Sequence, residues 1–235
     1  MRVLALIHHD VADSGVFAEE VAGRGHELEE WLPSAEPLAR PLDQYGAVMA
    51  FGGGMQADQD DRYPWLRTAL HVLGEALERR LPTLGVCLGG QMLARAAGGA
   101  VGPSPEAEWG WRAVELTDAG VRDPLFAGLA PTFDVFQWHS YAFGLPPDAV
   151  SLAHSPVCLQ GFRVGDCAWG LQWHPEVTGE TVLLWGERYP PSPNGVPVPL
   201  DLAELQATVL ARIAATNAEG RALCGRFLAI AERRQ

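Results

Sequence analysis

The chain has 235 residues, of which 48% are hydrophobic and 20% charged, and its formal net charge is -12. That length supports one large α/β unit with a substantial core, and the composition leaves no long disordered tract. The acidic excess repels a phosphate backbone, which argues against nucleic acid as a partner.

The opening "MRVLALIHHD" has an apolar run without the cleavage region of a secretory signal, so it reads as a first strand over 2–8. Ser14 then caps a helix through Phe17 and Val21 that stops at Gly23 and Gly25. "HELEEWL" is a second strand, and "GAVMAF" a third that ends in Gly52, Gly53 and Gly54. Pro64 suits a first helical turn, and Leu66, Leu70, Leu73 and Leu77 follow at helical spacing. "LPTLGVC" is the next strand, and a helix opens near Leu88. Fully apolar strands joined by helices imply a mostly parallel sheet covered on both faces, a three-layer α/β sandwich.

Beyond residue 100 the strands shorten: "WRAVELT", "FDVFQWH", "VCLQGFRV" and "CAWGLQWH", the last returning to the main sheet. The proline-rich 189–200 is a surface loop. Asp201 and Glu204 form a capping box, with Leu200 and Leu205 as a hydrophobic staple. Two helices finish the chain, the second capped by Asn217. The whole reads as a single domain over 1–235 with a helical extension at 201–235. No apolar stretch approaches the roughly 18 residues of a membrane helix, so the expected location is the cytoplasm, with no membrane partner. Cys87, Cys158, Cys167 and Cys224 are dispersed without C-x-x-C pairing, which argues against a disulfide framework or a zinc site.

Chemistry concentrates at "LPTLGVCLGGQMLARAAGG", 81–99. A strand, then G-x-C-x-G, then a helix is the thiol counterpart of a nucleophile elbow: Gly85 and Gly89 permit a tight turn that lifts Cys87 out of the sheet. The following helix favours a thiolate with its positive end, and the Leu88 N–H can point at a developing oxyanion. The competing reading is a buried structural cysteine between packing glycines. A nucleophile needs a base, and "GLQWHPEV" supplies one, because residues two apart in an extended segment share a face. His174 and Glu176 then form a base and its orienting carboxylate. The glycines of "AFGGGMQ" let a ligand approach the backbone, and neither G-x-G-x-x-G nor the P-loop spacing is present, so phosphate binding is the weaker use of that loop. His8 and His9 with Asp10 lack a second ligand cluster and read as strand-end polar residues, so no metal is expected.

Five segments together resemble the class I glutamine amidotransferases, in particular free-standing GMP-synthase-like glutaminase domains. They are "GGGMQ" with the following "PWL", "PTLGVCLGGQMLARAAGG", "EWGW", "FQWHSYAFGLP" and "GLQWHPE". The resemblance implies a flavodoxin-like fold and no cofactor. It implies that Cys87 attacks the side-chain amide of glutamine, with His174 and Glu176 completing the triad and backbone N–H groups of Gly53 and Leu88 holding the oxyanion. Gly54, Gln91, Ser140 and Tyr141 match positions that hold the substrate. Gly90 departs from the family's usual His or Ala, and Gly54 from its frequent proline, and neither change removes a catalytic group. His139 is either a pocket residue or a structural one, and Trp109 and Trp111 either flank the cleft or pack. The acceptor of ammonia stays open: the partner is a separate synthetase subunit, or the protein cleaves a γ-glutamyl amide alone. A silent binding module is a third reading.

Overall fold

Val3 and Ala5 pack on one face of the first strand and Leu4 and Leu6 on the other, and all four are fully buried. Burial on both faces is why this segment reads as an unbroken apolar run. The computed structural model describes residues 1–9, 12–188 and 201–235. Asp10, the loop expected at 189–200 and Leu200 of the expected staple lie outside the described residues.

The elements run β1 (Arg2–Leu6), α1 (Gly15–Gly23), β2 (Glu27–Trp31), β3 (Ala47–Ala50), α2 (Trp65–Glu78), β4 (Thr83–Val86) and α3 (Leu88–Ala96). They continue with β5 (Val101–Leu116), α4 (Asp118–Val121), β6 (Thr132–Phe143), β7 (Val150–His154), β8 (Leu159–Val164), β9 (Ala168–Leu171), α5 (Gly179–Arg188) and α6 (Leu202–Glu232). The strands lie in the order β2-β1-β3-β4-β9-β8-β7-β5-β6. The first five places follow the doubly wound order of flavodoxin-like sheets. Phe17 and Val21 of α1 meet Leu223, Phe227 and Leu228 of α6 on one face, while Leu66, Ala69 and Leu73 of α2 cover the other.

The expectation of a mostly parallel sandwich is corrected. The pairings from β2 through β9 are parallel, whereas β9–β8, β8–β7, β7–β5 and β5–β6 are antiparallel, so the sheet is mixed. Antiparallel neighbours need only short connections, which is why helices thin out after residue 100. As expected, "CAWGLQWH" returns to the main sheet, where β9 pairs with β4.

Three local readings also change. Ser14 stands at the start of α1 but caps nothing with its side chain; its hydroxyl donates to Glu30 Oε1 at 2.6 Å. The C-terminal pair of helices is one helix, α6, and Asn217 lies inside it, donating from Nδ2 to the Val177 carbonyl at 2.6 Å. Asp201 does cap α6, accepting from the N–H groups of Ala203 and Glu204 at 2.9 and 3.1 Å. Among the described residues no helix is long and apolar enough to cross a membrane.

Candidate active site

Cys87 sits between β4 and α3 with φ 50° and ψ -110°, a backbone conformation that residues with a Cβ seldom adopt. Its N–H donates to the Leu171 carbonyl of β9 at 2.8 Å, and its carbonyl accepts the Gln91 N–H at 2.9 Å. The Gly89 N–H goes to the Phe51 carbonyl at 3.1 Å, which draws the start of α3 against the end of β3. A strained residue in a turn pinned at Cys87 to β9 and at Gly89 to the end of β3 is over-determined, and the turn sets the sulfur at the carboxyl edge of the sheet.

Three residues past β9, the imidazole of His174 is buried at 2% exposure and its Nδ1 lies 2.8 Å from Glu176 Oε1. The backbone of both residues is fixed as well. The His174 N–H donates to the Phe136 carbonyl at 2.9 Å, and the Glu176 carbonyl accepts the Val16 N–H at 2.9 Å at the start of α1. The Trp185 ring stands edge-on to the imidazole, 4.9 Å between centroids. With Nδ1 committed to the carboxylate, Nε2 is the nitrogen left for the thiol.

Burial is the largest influence on the His174 pKa and acts to lower it. The Glu176 carboxylate and the Cys87 sulfur together outweigh burial and raise the value to about 10. A group whose pKa is raised on folding stabilises the fold fully below its ordinary value of 6.5, and that contribution is lost as pH climbs through the folded value. Between pH 6.5 and pH 10, the urea midpoint of the wild type should therefore fall further than that of His174→Gln. Parallel falls in the two proteins would show that the imidazole carries no such coupling.

Cys87 and His174 open onto a pocket of about 330 Å³. Gly53, Gly54, Leu88, Gln91, Ser140 and Tyr141 line it too, so every expected site residue except Glu176 reaches its wall, and Glu176 stands behind His174. Gln91 is nonetheless partly spent: its Nε2 donates to the Tyr141 carbonyl at 2.9 Å and to Gln172 Oε1 at 3.3 Å. The Tyr141 hydroxyl donates to Asp58 Oδ2 at 2.8 Å. These bonds tie β6 to α3 and to the loop after Gly54.

Two contributors escape a reading of the sequence. Gln172 is fully buried, and its Nε2 lies 3.7 Å from the Cys87 sulfur. It has the same two-residue spacing from His174 as Glu176, and that spacing was the signal available. His8 lies under the glycine loop, its Nδ1 2.9 Å from the Phe51 carbonyl and its ring stacked on Trp65 at 5.9 Å. Burial lowers its pKa to about 4 against the opposing bonds to the Phe51 and Gly52 backbone, so it is a neutral prop for that loop.

Residues 20–182 match the family described as Glutamine amidotransferase class-I. The glutamine amidotransferase-like protein YfeJ of Salmonella typhimurium is 32% identical over 188 residues, 77% of this chain and 78% of that protein. A GMP synthase (glutamine-hydrolyzing) of Aeropyrum pernix is 33% identical over 168 residues, 69% of this chain but only 31% of that protein's length. The crystal structure of a glutamine amidotransferase from Thermotoga maritima superposes with a TM-score of 0.85 at 31% identity, covering 97% of both chains. Together with the thiol, imidazole and carboxylate gathered at one end of a flavodoxin-like α/β sheet, these matches place the chain in the class I glutamine amidotransferase family.

Proposed function

We propose that the protein hydrolyses the side-chain amide of glutamine to glutamate and ammonia, with Cys87 as nucleophile. The observation that carries this reading is a strained cysteine and a carboxylate-bound imidazole on one pocket. The Cys87 thiol yields its proton to His174 as the sulfur attacks the amide carbon, and the oxyanion that forms is held by the N–H groups of Gly53 and Leu88. The C–N bond breaks as His174 gives a proton to the departing ammonia, leaving a thioester. Water, deprotonated by His174, then attacks the thioester and releases glutamate and the thiol. Glu176 fixes the imidazole tautomer and stabilises its cationic form. Gly54, Ser140, the backbone at Tyr141 and the Oε1 of Gln91 hold the glutamyl group.

The ammonia then passes to an acceptor on a synthetase, a reading drawn from the similarity to a GMP synthase (glutamine-hydrolyzing). A second reading, a stand-alone γ-glutamyl amide hydrolase, is favoured by Trp109, Trp138 and Trp185 on the pocket wall, apolar surface for which a leaving ammonia has no use.

The test is release of ammonia and glutamate from L-glutamine by the purified protein alone, beside a panel of γ-glutamyl amides. His174→Ala should cost about 10³- to 10⁴-fold in kcat, and Glu176→Gln distinctly less, because the base remains and only its orientation suffers. A larger loss from Glu176→Gln than from His174→Ala would overturn the assigned roles.

A further inference from the structure

Glu108 and His139 are register partners across β5 and β6, both are buried, and both stand on the wall of the pocket that holds Cys87. The proposed hydrolysis uses neither. Donors surround the Glu108 carboxylate and converge on Oε2: Gln160 Nε2 at 2.8 Å, Ser155 Oγ at 3.1 Å and Cys158 Sγ at 3.5 Å. His139 Nε2 completes the group at 3.4 Å. The donors are themselves fixed. Gln137 Nε2 donates to Gln160 Oε1 at 2.7 Å, and Ser155 Oγ accepts the Val157 and Cys158 N–H groups at 3.2 Å.

Burial acts to raise the Glu108 pKa, and the His139, Ser155 and Cys158 contacts outweigh it and hold the carboxyl below its ordinary value. The side chain is therefore an anion on the pocket wall at neutral pH, built in at the cost that any buried charge carries. All four contacts fall on Oε2, and among the described residues none of them falls on Oε1 of this pocket-lining side chain.

The Glu108, His139 and Cys158 ligand atoms lie within 4.8 Å of one another, which invites a metal reading. Gln160 speaks against it. Its Nε2 lies 2.8 Å from Glu108 Oε2 and 3.3 Å from Cys158 Sγ, so N–H donors already point at both atoms. The Cys158 thiol is also pushed up to about 12 by burial and by the Glu108 charge, which keeps it protonated. Trp109, Trp138 and Trp185 line the same pocket, and aromatic rings are partners an organic cation favours.

We propose that Glu108 is the anionic subsite for an ammonium group of the amide substrate, with Gln160, Ser155 and His139 as positioning residues for its carboxylate. The class of substrate rests on the hydrolase reading above. The ammonium is either the α-ammonium of the glutamyl group or one carried on the γ-substituent, and matched pairs of substrates separate the two.

The first pair is L-glutamine and glutaramate, which lacks the α-ammonium. The second is γ-glutamyl 4-aminobutylamide and γ-glutamyl butylamide. Glu108→Gln keeps the shape and removes the charge. It should lower kcat/KM about thirtyfold on the ammonium-bearing member of one pair and less than about threefold on its match. The pair that shows the difference identifies the source of the ammonium, and the unaffected match serves as the control for folding. Equal losses on all four compounds would overturn the subsite and leave the hydrolase reading standing. If the wild type hydrolyses none of them, alkylation of Cys87 by chloromethyl ketones matched in the same two ways decides. A preference for the ammonium-bearing reagent that Glu108→Gln abolishes keeps the subsite while the hydrolase reading falls, and no preference removes both. Zinc retained by the wild type through gel filtration, and lost from both Glu108→Gln and Cys158→Ser, would overturn the proposal in favour of a metal.

Discussion

Cys87→Ala is expected to lower glutamine hydrolysis by about 10⁴-fold or more while leaving the urea midpoint close to that of the wild type. The chemical loss follows because, among the described residues, no other thiol lines the pocket. The structural indifference follows from the turn. Alanine has the same Cβ as cysteine, so it meets the same strain at φ 50°, and the N–H bond to Leu171 is a backbone bond that the substitution leaves alone. Steady-state ammonia release beside chemical denaturation checks both halves. A variant that keeps more than about 1% of the wild-type rate would remove Cys87 from the mechanism.

Gly89→Ala should do the reverse and break the fold around the elbow. A Cβ at this position would lie 2.0 Å from the Ala50 carbonyl oxygen and 2.4 Å from its carbon, atoms of a central strand that cannot swing aside. Relief requires α3 to move off β3, giving up the Gly89 N–H bond to Phe51 and displacing Leu88. Destabilisation of about 3 kcal/mol or more is expected, read by urea denaturation or as loss of soluble protein. Gly54→Ala is the control, since a Cβ there meets nothing within 4 Å. A stability within about 1 kcal/mol of the wild type for Gly89→Ala would mean that the elbow is not packed as described.

The half of the sheet built from buried parallel strands was legible because both faces bury apolar side chains and little else competes for the pattern. The antiparallel half was harder to read. β5 begins fifteen residues or so ahead of its recognisable end, through Pro103 and Pro105, and the register shift between Pro103 and Glu108 is where the ladder absorbs them. The short β7 carries too few residues to show a period. Read from the sequence, Asn217 splits α6 in two, because asparagine is ordinarily a capping residue. In the folded chain Asn217 instead bonds the Val177 carbonyl, and Gly220 is small because a Cβ would fall 2.0 Å from the Pro175 carbonyl oxygen. Residues that weaken an isolated helix here let it lie directly on the segment carrying His174 and Glu176.

The juxtaposition of Cys87 with His174 was foreseeable from G-x-C-x-G and the histidine–carboxylate pair, because each motif specifies its own backbone shape. Glu108 and Gln172 were not foreseeable in the same way. Their partners lie on other elements, at His139, Gln160 and Cys87, and only the sheet order brings them together.

One strand connects the two halves. β9 runs parallel to β4 on one side and antiparallel to β8 on the other, and ends three residues before His174. Thiol and imidazole are therefore surveyed from a common benchmark: the Cys87 backbone hangs on the Leu171 carbonyl, and His174 follows three residues along the same chain. The one outer strand that touches this path is β6, whose Phe136 carbonyl holds the His174 N–H. The alignment of the two groups is therefore shared between the central ladder, which carries the thiol, and the edge strand, which steadies the imidazole.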